Sequence, residues 1–166
     1  MGKEFAAYSS VALIESPDSY IVHRRPNKTI GTLAYAGSCN FLGGHRDIID
    51  GQLEIADVAI ARELSEETNM GILPLDRFSE YWQGLFEGLD RYGGAVWRHV
   101  TCYYLGVSAI EAETMELRER ERGELVYIPK NPEIITSLTD QLAPFAHIML
   151  AAFVRGQQPD LKEERI

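Results

Sequence analysis

Hydrophobic and polar positions change period several times along the chain. "YSSVALIE" and "YIVHRR" are rich in β-branched and aromatic residues and are separated by "SPDS", whose proline, aspartate and serines favour a turn. They predict an opening hairpin. "RPNKTIGTLAYAGSCNFLGGHRDIIDGQ" keeps no period and reads as a long loop with one short strand around Leu33 to Tyr35. From Glu54 to Thr68, Ile55, Val58, Ala61 (or Ala59) and Leu64 recur near helical spacing among strong helix formers, the best helix signal in the chain. "FSEYWQGLFEGLDRYGGAVWRHVTCYYLGV" predicts two aromatic-rich strands around a turn at "DRYGG". After the acidic-basic stretch "SAIEAETMELRERERGE" comes a short apolar run, "LVYIP". Helices are expected in "PEIITSLTDQL" and in "PFAHIMLAAFVRG", the latter starting at Pro144, and the polar tail "QQPDLKEERI" is expected to fray. The alternation of strand and helix signals predicts an α/β fold in one domain, residues 1–166 with a core from about residue 6 to 155.

Composition narrows the range of functions. A formal charge of −9 opposes non-specific attachment to phosphate backbones, so nucleic acid is not the default partner. Phosphate chemistry remains open to an acidic protein if divalent cations stand between its carboxylates and the ligand. Cys39 and Cys102 form no C-x-x-C pair, which argues against a zinc site or a disulfide framework and fits a reducing cytoplasm. "MGKEFAAYSS" lacks the pattern of a secretory leader, and the longest apolar stretch, "HIMLAAFV", is far below the roughly 20 residues of a membrane span. No membrane association is expected, and a homodimer stays open.

"RELSEETN" carries the candidate chemistry. Glu63, Glu66 and Glu67 stand at i, i+3 and i+4, so a helix places all three carboxylates on one face, where like charges repel. A solvated acidic face, with Arg62 reaching Glu66, is one resolution. A hard divalent cation is the other. The surrounding residues favour the cation: "FLGG" ends the loop upstream, Glu54 precedes Arg62 by eight positions, and the helix closes in "EETNM".

This string resembles the Nudix hydrolase signature, G-x5-E-x7-R-E-U-x-E-E-x-G-U with U a bulky aliphatic residue. Glu54 to Glu67 matches the E-x7-R-E-U-x-E-E portion without a gap, and the resemblance extends from Ala6 to about Pro129. Three positions depart from the pattern. Gly44 lies ten positions before Glu54 where the pattern has six, an insertion of four residues; Leu42 stands where many members have proline; and Asn69 replaces the closing glycine. Asparagine tolerates the left-handed conformation of a helix C′ position, so that exchange is expected to be mild. The insertion, taken as Asp47 to Asp50 or its neighbours, is expected to bulge outward with Ile48 and Ile49 packed against the loop, rather than to carry Asp47 or Asp50 into the site.

The resemblance implies an α/β/α sandwich around a mixed sheet. It also implies hydrolysis of a nucleoside diphosphate linked to another group, with magnesium or manganese as cofactor and a nucleotide-type small molecule as substrate. Glu63, Glu66 and Glu67 would face the metal together with the backbone of Gly44. Arg62 would orient the carboxylates, and Glu54 would steady the arginine. A further glutamate from a later loop serves many members as ligand or base; the candidates are Glu116, Glu119, Glu121 and Glu124, with Glu121 and Glu124 preferred. Arg24 and Arg25 could contact phosphate, or form a surface pair. Trp82, among Tyr81, Phe86, Tyr92 and Trp97, could stack on a base, although aromatics in alternating strands are more often core. His45, His99 and Cys102 receive no role. The competing readings are a nucleotide-binding regulatory domain of the same fold without turnover, and an interaction protein with an acidic helix.

Overall fold

The computed structural model describes residues 5–26, 37–89, 95–159 and 161, so the strand expected around Leu33 to Tyr35 and the turn at Asp90 to Gly94 lie outside the described residues. Its strands are β1 (Phe5–Glu15), β2 (Ser19–Arg24), β3 (Cys39–Asn40), β4 (Leu42–His45), β5 (Ile48–Ile49), β6 (Gln52–Leu53), β7 (Phe78–Leu89), β8 (Ala95–Gly106) and β9 (Glu124–Pro129). The helices are α1 (Ala56–Glu67), α2 (Ala109–Thr114), α3 (Pro132–Ser137) and α4 (Pro144–Val154).

The main sheet runs β3-β2-β1-β8-β7, with β4 also paired to β1 and β9 to β2. It is mixed: β1 and β8 are parallel, and the other pairs are antiparallel. Alternation along β1 divides the core between two faces, as the two-residue period of a strand requires. Leu13 packs with Cys102, Phe145, Met149 and Leu150 beneath α4, while Ala12 and Ile14 pack with Ile60, Ala61 and Leu64 of α1. Helices on both faces of a mixed sheet make the expected α/β/α sandwich. Among the described residues no helix is long and apolar enough to cross a membrane.

The differences from the sequence reading have local causes. The helix expected over Pro132 to Leu142 stops at Ser137, because the following backbone pairs with β3: the Cys39 amide donates to the Gln141 carbonyl (2.8 Å), and the Ala143 amide to the Cys39 carbonyl (2.8 Å). The acidic-basic stretch contains α2, started by a capping box in which Ser108 and Glu111 satisfy each other's backbone amides.

The insertion ahead of α1 forms a β5-β6 hairpin, closed by the Glu54 amide on the Asp47 carbonyl at 2.7 Å. Asp50 (φ 51°) and Gly51 (φ 78°) both take the left-handed conformation of a two-residue hairpin turn. Ile48 and Ile49 do not pack against the loop as expected. They are 73% and 59% exposed, because a two-stranded ribbon offers no second layer to bury them. Replacing residues 48–53 by Asn-Gly keeps the closing pair, and should leave manganese affinity in calorimetric titration close to the parent's, since shortening a loop with fixed ends costs little. A large loss in a folded variant would place the hairpin in the site.

Candidate functional site

Helix α1 lies across β4: Gly44 permits its approach, and Gly43 lets β4 lie close on β1. Gly43 has φ 137°, and a Cβ there would sit 2.3 Å from the Ser10 carbonyl oxygen. A Cβ on Gly44 would fall 2.7 Å from the Glu63 carboxylate, so the bare backbone of Gly44 makes a cradle for that group. The Gly43 amide donates to Glu67 Oε1 at 3.1 Å. The hairpin absorbs the four extra residues, and Gly44 lies beside the carboxylates despite its distance from Glu54 in sequence.

Arg62 is the hub of the acidic face. Its Nε and Nη2 donate to Glu54 Oε2 and Oε1 at 2.9 and 3.0 Å, a bidentate pair with a carboxylate that is 6% exposed. It also reaches Glu66 at 3.1 Å, Glu63 at 3.2 Å and the His45 carbonyl at 3.1 Å, with Asp47 at 3.6 Å. The Arg62 hydrogen bond holds the Glu54 carboxyl below its ordinary pKa, and the same bond raises the guanidinium's. Asp47 thus joins the outer side of the hub, while Asp50 occupies the hairpin turn.

Glu67 is in the opposite situation. Burial, then the neighbouring charge of Glu63, raises its pKa to about 8 against the Gly43 hydrogen bond, and Glu121 adds a further negative charge. Burial also raises Glu63, with Arg62 opposing. The sign of the linkage follows. An unfolded glutamate ionises near 4.5 and folded Glu67 at about 8, so across that window the unfolded chain sheds its proton first and stability falls as pH rises. Metal-free protein should therefore lose thermal stability between these pH values, and manganese should restore it at the upper end. A flat metal-free Tm would contradict this.

The donor set suits a hard cation. Glu63, Glu67 and Glu121 line one cleft, with Glu63 and Glu121 each adding negative charge beside Glu67, and carboxylate oxygens are the ligands magnesium and manganese prefer. Glu66 is half exposed and held by Arg62; as they stand, no three His, Cys, Asp or Glu groups among the described residues are gathered closely enough to enclose an ion.

His23, Arg25, Phe41 and Gly43 line the same cleft as Glu63, Glu67 and Glu121. It continues into a second cleft that shares Arg25, Phe41 and Gly43 and is walled by Val11, Phe86, Val100 and Phe145. Of the two arginines, Arg25 therefore faces the site, whereas Arg24 pairs with Glu124 across β2 and β9 at 3.0 Å. That pair also takes Glu124 away from the carboxylates and leaves Glu121 as the later-loop glutamate at the site. Glu116 is tied to Asn69 by its backbone amide, and Glu119 lies on the outer side near Glu66. Trp82 packs on Phe145 with ring centroids 5.7 Å apart, covers Gly84 and lines neither cleft. The aromatic wall consists of Phe41, Phe86 and Phe145. His23, which carries no functional signal of its own in the sequence, stands two residues before Arg25 at a strand end, and alternate residues share a side.

Asn69 requires a correction. Its φ is not positive; among the described residues, Asp50 is the one non-glycine with positive φ. The helix ends instead in extended backbone at Thr68, whose hydroxyl donates to the Leu64 carbonyl at 2.7 Å, and the left-handed residue is Gly71.

No protein-family model matches the chain, and no curated protein sequence matches it. Solved structures do. A MutT protein from Methanosarcina mazei Go1 is 20% identical with TM-score 0.66, over 94% of this chain and 97% of that one. The NUDIX domain of Shewanella oneidensis NrtR, complexed with ADP ribose, is 15% identical with TM-score 0.60, over 94% and 89%. A bifunctional NMN adenylyltransferase/ADP ribose pyrophosphatase from Francisella tularensis, complexed with AMP and a manganese ion, is 19% identical with TM-score 0.60; the match covers 93% of this chain and 42% of that one. The fold is that of the Nudix hydrolases.

Proposed function

We propose that the chain is a Nudix-type pyrophosphohydrolase acting on a nucleoside diphosphate linked to another group, with magnesium or manganese held by Glu63, Glu66 and Glu67 beside the backbone of Gly44. One observation carries this reading: the glycine cradle and the Arg62 hub hold the α1 carboxylates in a row, with Glu63 and Glu67 lining a cleft and Glu67 desolvated beside the Glu63 charge. A divalent cation there would stabilise charge developing on phosphoryl oxygens and lower the pKa of water.

The chain's own residues supply the remainder. Glu121, which lines the same cleft as Glu63 and Glu67, would take the proton of an attacking water. Glu54 and Arg62 hold the helix carboxylates in orientation. Arg25 lines both clefts and would contact phosphate, and the Phe41, Phe86 and Phe145 wall would suit the apolar faces of a nucleoside.

The test is a screen of nucleoside triphosphates, ADP-ribose, dinucleoside polyphosphates and nucleotide sugars with magnesium or manganese. Metal-dependent release of phosphorylated products is expected. The likeness to an ADP-ribose-bound domain keeps a second reading in view, a nucleotide-binding regulatory domain. Saturable nucleotide binding without turnover of any compound would establish that reading instead.

A further inference from the structure

The stretch between α2 and β9 carries Glu121 but has no helix or strand of its own to hold it. On its α2 side it is held by the end of α1, and on its β9 side His23 Nε2 donates to the Arg122 carbonyl at 2.7 Å. Three hydrogen bonds join Asn69 to the last residue of α2 and to the start of the stretch: the side-chain Nδ2 donates to the Thr114 carbonyl at 2.8 Å, Oδ1 accepts from the Glu116 amide at 2.8 Å, and the backbone amide donates to the Glu116 carbonyl at 3.0 Å. The stretch then runs back along the helix end. Thr68 and Leu117 form a bridge, the Arg118 amide donates to the Glu67 carbonyl at 2.8 Å, and Arg118 Nε and Arg120 Nη2 donate to the carbonyls of Ser65 and Glu66 at 3.1 and 3.2 Å. The last carbonyls of a helix have no partner within it, and this stretch supplies them. The Glu121 amide closes on the Arg118 carbonyl at 2.8 Å.

We propose that Asn69 is a positioning residue: its side chain clasps residues 114–116 and thereby sets the register in which Arg118 caps α1 and Glu121 faces Glu67. A glycine at position 69, as the family signature would have it, could make the single backbone bond and neither side-chain bond. The departure from the pattern is therefore a change of device, a side-chain clasp where a flexible turn would otherwise stand. This inference rests on the hydrolase reading only where it concerns turnover; the clasp itself is a property of the fold.

The two parts are separable by experiment. Amide hydrogen exchange should be compared in the parent, Asn69→Gly and Asn69→Ala. Exchange should quicken at least tenfold at Arg118 and Glu121, beyond the Glu116 amide that loses its own acceptor. Unchanged exchange at Arg118 and Glu121 overturns the clasp, whether or not the protein hydrolyses anything.

For turnover, Asn69→Ala should lower kcat roughly tenfold with KM little changed, and Asn69→Ala combined with Glu121→Gln should be no slower than Glu121→Gln alone, since both act through one carboxylate. Effects that multiply would show that Asn69 acts elsewhere and overturn its positioning role. Asn69→Asp keeps the acceptor for Glu116 and should recover part of kcat, which an unspecific loss of stability would not. Parent protein inactive on every compound of the screen would count against the hydrolase reading, and the exchange data would still decide the clasp.

Discussion

Replacing Glu67 by glutamine is expected to lower turnover by a few orders of magnitude while leaving the fold intact. The amide keeps an oxygen for the Gly43 N–H and keeps the volume of a side chain packed beneath the glycine strand. It removes the negative charge that would bind a divalent cation, and the cation is what would stabilise the transition state. Stability should hold or rise slightly in metal-free protein, because a buried carboxyl beside Glu63 is replaced by a neutral group. Steady-state kinetics on the best compound of the screen, with a melting curve for each variant, checks both halves. Turnover near the parent's in Glu67→Gln would mean that the cation is held elsewhere.

The two glycines of β4 should respond in opposite ways to the same substitution. Alanine at Gly43 meets backbone on the neighbouring strand, 2.3 Å from the Ser10 oxygen and 2.7 Å from the Val11 Cα, at a φ that side-chain-bearing residues avoid. Neither obstacle can turn aside, so Gly43→Ala should cost about 3 kcal/mol or more of stability, a fall in Tm of roughly 10 °C for a chain of this size. Alanine at Gly44 meets only the end of the Glu63 side chain, which can swing away. Gly44→Ala should fold nearly as well and lose manganese affinity instead. Thermal unfolding and manganese titration of both variants separate the effects; equal melting temperatures would refute the distinction.

Much of this was legible in the sequence for identifiable reasons. Helix α1 begins and ends within two residues of its expected bounds, because propensity and apolar spacing agree there with the packing of Ile60, Ala61 and Leu64 on the sheet. The Arg62, Glu63, Glu66 and Glu67 row was legible because all four lie within two turns of one helix. What depends on distant partners was not. Nothing near Trp82 announces Phe145, and nothing in "RERERGE" separates Glu121 from Glu124 until β2 brings Arg24 opposite the latter. Asn69 was misread because a propensity argument considers the residue's own backbone, whereas its role is made by side-chain bonds to Thr114 and Glu116.

The parallel pairing of β1 with β8 governs how the molecule assembles. Ser10 faces Thr101 and Val11 faces Cys102, so the middle of the sheet joins segments from opposite halves of the chain, and α1 rests on that middle. Local signals can wind α1 early, but the platform that orients its glutamates exists only after the second half has returned to the first. Closing so large a loop before contacts reward it is expected to make this the slow step. A fragment ending after Gly71 would hold the whole acidic row without the strand β8 that completes its support, and acquisition of cation binding during refolding should coincide with sheet closure rather than with helix formation.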